Sequence, residues 1–175
     1  MQQISNAKQM YAGGIQMLHS VESQIEQALP KMIEKAKHQE LKQGLQMHLE
    51  QTRQQRQRLE PILQRCGAQP GQLQDEAFRA MVRDGEQFVS SVTDPNLTDA
   101  AIIAVAQKVE HYEMAYYGTV ATMAGMMGMA DEQKVLHQTL EEEKQTDLLL
   151  TDIATSQINI EAEQADEEEE EEEEE

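Results

Sequence analysis

The sequence predicts an all-α protein: four long helices packed as an antiparallel bundle, with a long helical crossover between helices two and three. Three observations carry this. Apolar residues recur at steps of three and four along most of the chain, which keeps them on one face of a helix. Met, Leu, Ala, Gln and Glu dominate, while Trp is absent and only two Phe and four Tyr occur, a mixture of helix formers rather than strand formers. No alternating apolar–polar run of the strand type interrupts the pattern.

The first helix is expected from about Ser5 to Lys37, with Tyr11, Ile15, Leu18, Ile25, Leu29 and Met32 in one stripe and Glu22 among them. Ser5 is its expected N-cap, and Pro30 is expected to bend it. The second runs from about Gln39 to Cys66 on Leu41, Leu45, Leu49, Thr52, Leu59 and Leu63, with a polar middle from Gln51 to Arg58. Gly67 and Pro70-Gly71 stop it. A shorter amphipathic stretch, Gln72 to Val92, is long enough to carry the chain between the two ends of a bundle. Thr98 or Asp99 is the expected cap of the third long helix, whose seam reads Ile102, Ala106, Val109, Glu113, Tyr116, Val120, Met123 and Met127. After a turn at Gly125, Gly128 and Asp131, the fourth has the seam Leu136, Leu140, Glu143, Asp147, Leu150 and Ala154.

Residues 1–160 are thus read as one bundle domain, and residues 161–175 as a disordered acidic (poly-Glu) tail. Of the 33 acidic residues ten lie in 166–175, leaving 23 against 14 Lys and Arg in the rest of the chain. This balance provides no basic patch for nucleic acid and repels anionic membrane surfaces. No stretch approaches the roughly 20 apolar residues of a membrane helix, and the start of the chain lacks the pattern of a secretory signal. Cys66 is the one cysteine, in keeping with a reducing, cytoplasmic setting.

Acids at core positions are the chemically informative feature. A carboxylate in a helical seam is costly unless paired, protonated or bound to a cation. Glu110 and Glu113 precede the turn near Gly128 by about as many residues as Glu143 and Asp147 follow it, so in an antiparallel pair they meet at one level. By the same count about His38, Glu22 reaches the level of Glu50 to Arg53. Like charges so close push one another toward protonation, and iron or manganese relieves that repulsion with oxygen ligands. His48, His111 and His137 are expected as surface or interhelix hydrogen-bonders, the Met123–Met129 cluster as helix-end packing, and Cys66 as structural.

Several phrases resemble one family closely: Glu26-Gln27-Ala28-Leu29-Pro30-Lys31-Met32, His48-Leu49-Glu50-Gln51-Thr52, Ala106-Gln107-Lys108-Val109-Glu110-His111-Tyr112-Glu113, Tyr117-Gly118-Thr119 and Thr139-Leu140-Glu141-Glu142-Glu143-Lys144. They are similar to the YciE/YciF-type ferritin-like family of bacterial stress-associated proteins, a domain of unknown function. The resemblance implies a ferritin-like four-helix bundle, a homodimer, and a site for two iron or manganese ions. The implied ligands are Glu22 from helix one, Glu50 from helix two, Glu110 and Glu113 from helix three, and Glu143 and Asp147 from helix four. Ferritin-like sites expect Glu-x-x-His on helices two and four, whereas this chain has Arg53 and Thr146 there.

The leading expectation is a di-metal carboxylate protein acting in stress or redox defence or in metal handling, with Tyr112 or Tyr116 as an electron relay. Two others stand beside it. One is a non-catalytic dimeric stress protein with a degenerate metal site, its core acids held by Arg53, water and protons. The other places function in the acidic tail, as an anchor for a basic partner.

Overall fold

The computed structural model describes residues 3–95, 97–160 and 163, and among these the chain is all-helical. Five α-helices follow one another: α1 (Ala7–Lys35), α2 (Gln39–Arg65), α3 (Glu76–Ser91), α4 (Thr98–Met126) and α5 (Ala130–Ile153), the last extended by a π-helical turn at Ala154–Ile158. The acidic segment expected over 161–175 lies, apart from Glu163, outside the described residues.

Helix ends follow local chemistry. Gly67 and Gly128 have φ of 70° and 74°, a left-handed conformation that glycine adopts without steric cost. At the end of α2 the amide of Ala68 donates to Leu63 and that of Gly67 to Gln64. At the end of α4, Met129 donates to Ala124 and Gly128 to Gly125 in the same way. These paired bonds satisfy the last carbonyls of each helix. The N-cap of α1 is Asn6, whose side chain accepts from the amide of Gln9 at 2.9 Å, rather than the expected Ser5. Ser5 instead directs its own N–H to the Gln9 side chain at 2.8 Å. Pro30 does not interrupt α1, which continues to Lys35.

Neither Thr98 nor Asp99 caps α4, which starts after Leu97 without a side-chain cap. Asp99 is buried and accepts from the amides of Lys37 and His38 at 2.9 and 2.7 Å. It thereby ties the α1–α2 turn to the start of α4. The start of α3 is held similarly: Asp75 caps Phe78, accepts from the Tyr112 hydroxyl at 2.7 Å, and donates its own amide to Ser20. From there α3 runs alongside α1 to Lys31–Glu86 and Lys35–Ser90 contacts on the surface.

The long helices pack α1 on α2 and α4, and α5 on α4 and α2. Their apolar faces form two separate blocks. One gathers Val21–Met32 of α1, Leu41 and Leu45 of α2, Phe78 and Val89 of α3, Ala101–Val105 of α4 and Leu150–Ile158. The other gathers Tyr11–Leu18, Leu59–Leu63, Tyr117–Ala124, Leu136 and Leu140. Between the blocks lies a layer of buried polar side chains, among them Glu22, His48, Thr52, Gln55, Glu110, Glu113 and Glu143. No helix among the described residues is long and apolar enough to cross a membrane.

Candidate metal centre

Each of the long helices sends side chains into this middle layer. On α2 the core ladder runs Leu41, Leu45, His48, Thr52, Gln55, Leu59 and Ile62, in regular steps of four and three, so the imidazole of His48 faces inward. On α4 Glu110, Glu113 and Tyr117 follow the same steps, and Glu143 does so on α5. His48, Glu110, Glu113 and Glu143 are all buried, and one ligand atom from each lies within 4.8 Å of the others.

Few of these atoms are satisfied by protein. With the carboxylates ionised, both oxygens of Glu113, both of Glu110, Oε2 of Glu143, Oε2 of Glu22 and Nδ1 of His48 have no hydrogen-bond donor; a proton on either partner lets Glu110 bond Glu143 and Glu113 bond Glu22. His48 Nε2 is 3.2 Å from Glu110 Oε1 but out of hydrogen-bond alignment. The exceptions are instructive. Glu143 Oε1 accepts from Gln55 Nε2 at 2.5 Å. The Tyr117 hydroxyl donates to Glu22 Oε1.

Burial, reinforced by repulsion from Glu143, pushes Glu22, Glu110 and Glu113 well above the usual carboxylate range. Burial likewise raises Glu143, to about 8. Burial lowers His48 to about 4, which leaves its imidazole neutral and able to offer a lone pair. Burial and then Glu22 raise the Tyr117 hydroxyl, so it remains a donor. A rim lies just outside. Although burial acts against it, Glu142 is held below the ordinary value by Arg58, Gln138 and Gln55, with Arg58 Nη2 at 2.8 Å.

The expected residues separate into three groups. Glu110, Glu113 and Glu143 come together, and Glu22 joins the same layer on its bond to Tyr117. Asp147 stays at the edge, 19% exposed, accepting from Gln107 and 3.4 Å from His111. Glu50 does not enter the layer: its side chain is 61% exposed and faces Arg53 at 3.5 Å. Arg53 points outward too, sharing Glu26 with Arg56, so no cation from position 53 occupies the layer. From α2 the inward group is His48, two residues before Glu50 and so some 200° around the helix.

Three residues of the layer escaped the sequence reading: Gln55, in the polar middle of α2 yet buried against Glu143, His48 and Tyr117. His48 was passed over as a surface or interhelix group, although the ladder Leu45–His48–Thr52 places it in the seam. Tyr117 was displaced by Tyr116, since both follow Glu113 by a helical step; Tyr116 instead stacks on Tyr112, with ring centroids 5.6 Å apart.

The donor set, three carboxylates and an imidazole with unpaired lone pairs, fits a cation. Carboxylate and imidazole together suit manganese, iron or zinc. An unpaired set of this kind is costly in a core without protons or an ion to satisfy it.

Comparison with known proteins agrees with this architecture. A family profile described as "Domain of unknown function (DUF892)" matches residues 6–163. The protein YciF of Escherichia coli (strain K12) is 37% identical over 146 residues, which cover 83% of this chain and 88% of YciF. The crystal structure of the E. coli stress protein YciF superposes with a TM-score of 0.83 at 33% identity, covering 89% of this chain and 99% of that one. YcfI from Rhodopseudomonas palustris gives a TM-score of 0.82 at 35% identity, covering 86% of this chain and 96% of that one. A Xanthomonas campestris protein, 17% identical with a TM-score of 0.73 and covering 93% and 99% of the two chains, shares the fold. On the length of the profile match and the identity to YciF together, the chain belongs to the YciF-like DUF892 family.

Proposed function

We propose that this chain is a ferritin-like four-helix bundle that holds iron or manganese in its middle layer and serves in metal handling or stress and redox defence. The observation that carries the reading is the convergence of His48, Glu110, Glu113 and Glu143 with most of their ligand atoms unpaired. These four would hold one ion. Glu22, whose Oε2 is also unpaired, extends the oxygen set toward a second. A bound iron or manganese ion supplies Lewis acidity and a one-electron couple. The protein's own part is to exclude water, to fix Glu143 through Gln55, and to hold a proton at the Tyr117 hydroxyl against Glu22. The description of E. coli YciF as a stress protein supports the physiological side of the proposal. A cytoplasmic homodimer belongs to the same reading, and sedimentation of the purified chain tests the dimer.

The decisive test is metal content. Protein purified without chelators and loaded anaerobically with Fe(II) or with Mn(II) is expected to retain metal and to gain thermal stability. His48→Ala and Glu113→Gln are expected to lose both. Wild-type protein that retains no metal and whose Tm ignores added ions overturns the reading.

A second reading is favoured by the raised proton affinities of the four glutamates. A layer kept neutral by protons serves a purely structural protein, and the same loading experiment separates the two.

A further inference from the structure

Beside the middle layer, among α1, α2, α3 and α4, the first apolar block contains a pocket of about 40 Å³. Its wall is aliphatic, formed by residues such as Ile25, Leu29, Leu45, Ile102, Val105 and Val109. His48 and Glu110 are its polar lining residues, and both belong to the four-residue cluster that could hold a metal ion. The pocket therefore abuts the centre on one side and is apolar elsewhere, Met32 included.

Size and lining together select the guest. A single water needs about 10–15 Å³ and two to four polar partners. The space is sufficient for more than one water, but only the His48–Glu110 end provides partners. The remainder suits an apolar guest, as dry apolar cavities in proteins take up xenon. A diatomic gas such as dioxygen is small, uncharged and a poor hydrogen-bonder, and so matches this wall better than water does.

The shorter helix α3 forms one side of the pocket, which stays partly open to the surface. Val82 forms part of the wall. One turn further on, Gly85 lies so close to α4 that a Cβ there would come within 2.5 Å of Val105 Cγ1. Glycine at position 85 thus lets α3 seat directly against Val105, itself a wall residue.

We propose that this pocket binds a dioxygen-sized apolar molecule and presents it to the His48–Glu110 side of the centre. The presenting role rests on the metal reading above, whereas the pocket's capacity for an apolar guest does not.

Xenon is the probe. Crystals of the full chain pressurised with xenon are expected to show it among Leu29, Val105 and Val109. Ala106→Leu, which places four carbons where the wall has a methyl group, is expected to abolish that occupancy and leave Mn(II) content unchanged. Ala28→Leu narrows the same space from α1 and stands in if the first variant folds poorly. Absence of xenon from the wild type, or its persistence in both filled variants, overturns the inference. Mn(II) content of the same wild-type protein decides the other half. Mn(II) without xenon removes the pocket alone, and xenon without Mn(II) removes the presenting role along with the metal reading.

Discussion

Replacing Glu143 by Gln in metal-free protein is expected to stabilise it, and by an amount that grows with pH. In the fold Glu143 keeps its proton up to about 8, against an ordinary value of 4.5. Between those limits the folded chain binds more protons than the unfolded one, so its stability falls as pH rises. At 1.36 kcal/mol for each pH unit, the share of Glu143 amounts to about 5 kcal/mol by pH 8. That is comparable to the whole stability of many domains. A Gln at this position cannot ionise, and its amide oxygen can still accept from Gln55 Nε2. His48 acts in the opposite sense: held at about 4 against 6.5, it costs stability as pH falls through that window, but it does so in both proteins and cancels in the comparison. Urea unfolding in the presence of a chelator, at intervals from pH 4.5 to 8.5, measures the gap. The two proteins are expected to differ little at the acid end and by several kcal/mol, on the order of 5, at pH 8, with Glu22, Glu110 and Glu113 also changing because Glu143 raises their proton affinities. Mn(II) at a hundred times its Kd for the natural chain then narrows the gap by up to about 2.7 kcal/mol, the limit reached if the variant, lacking one carboxylate donor, no longer binds the ion. Stability curves that run parallel over the whole pH range would refute the assignment of a strained, proton-holding carboxylate.

Three further outcomes follow from the same geometry. His48→Ala, which removes the nitrogen donor, is expected to weaken Mn(II) binding at least about tenfold, or 1.4 kcal/mol, by calorimetric titration; Glu50→Gln, on the outer face, is expected to leave the same isotherm unchanged. Tyr117→Phe deletes the donor to buried Glu22 and is expected to cost about 1–3 kcal/mol in urea unfolding, while Tyr116→Phe stays within about 0.5 kcal/mol. Gly14→Ala places a Cβ 2.9 Å from Val120 Cγ2 and is expected to cost about 1–3 kcal/mol by forcing α1 from α4, read as a lowered Tm.

The helices and their turns were legible in the sequence because steps of three and four and the glycine stops are local signals. Gly67 and Gly128 fall where the chain needs positive φ, and the helix limits follow within a few residues. Caps were less legible. Asp99 bears every mark of a helix start, yet its carboxylate reaches across space to Lys37 and His38, a contact that no local pattern contains. The acids of α4 and α5 were readable because hydrophobic neighbours frame them. On α2 the frame is thin: Gln, Arg and His crowd the middle, and counting from Leu45 is needed to separate inward His48 from outward Glu50. Tyr116 and Tyr117 differ by one residue in a helix with apolar groups on several sides, so periodicity could not choose between them.

The polar layer also bears on how the molecule responds to mutation. It separates two apolar blocks that share no side chain among the described residues, much as a bulkhead separates compartments. A truncation such as Leu45→Ala in one block leaves a void whose relaxation must cross the layer before Leu63 in the other can respond. Distant, unconnected sites add their effects independently. The double variant Leu45→Ala, Leu63→Ala should therefore cost the sum of its parts to within about 0.5 kcal/mol. Each half of the core can then drift in sequence with little regard for the other, while the layer between them stays fixed by its own chemistry.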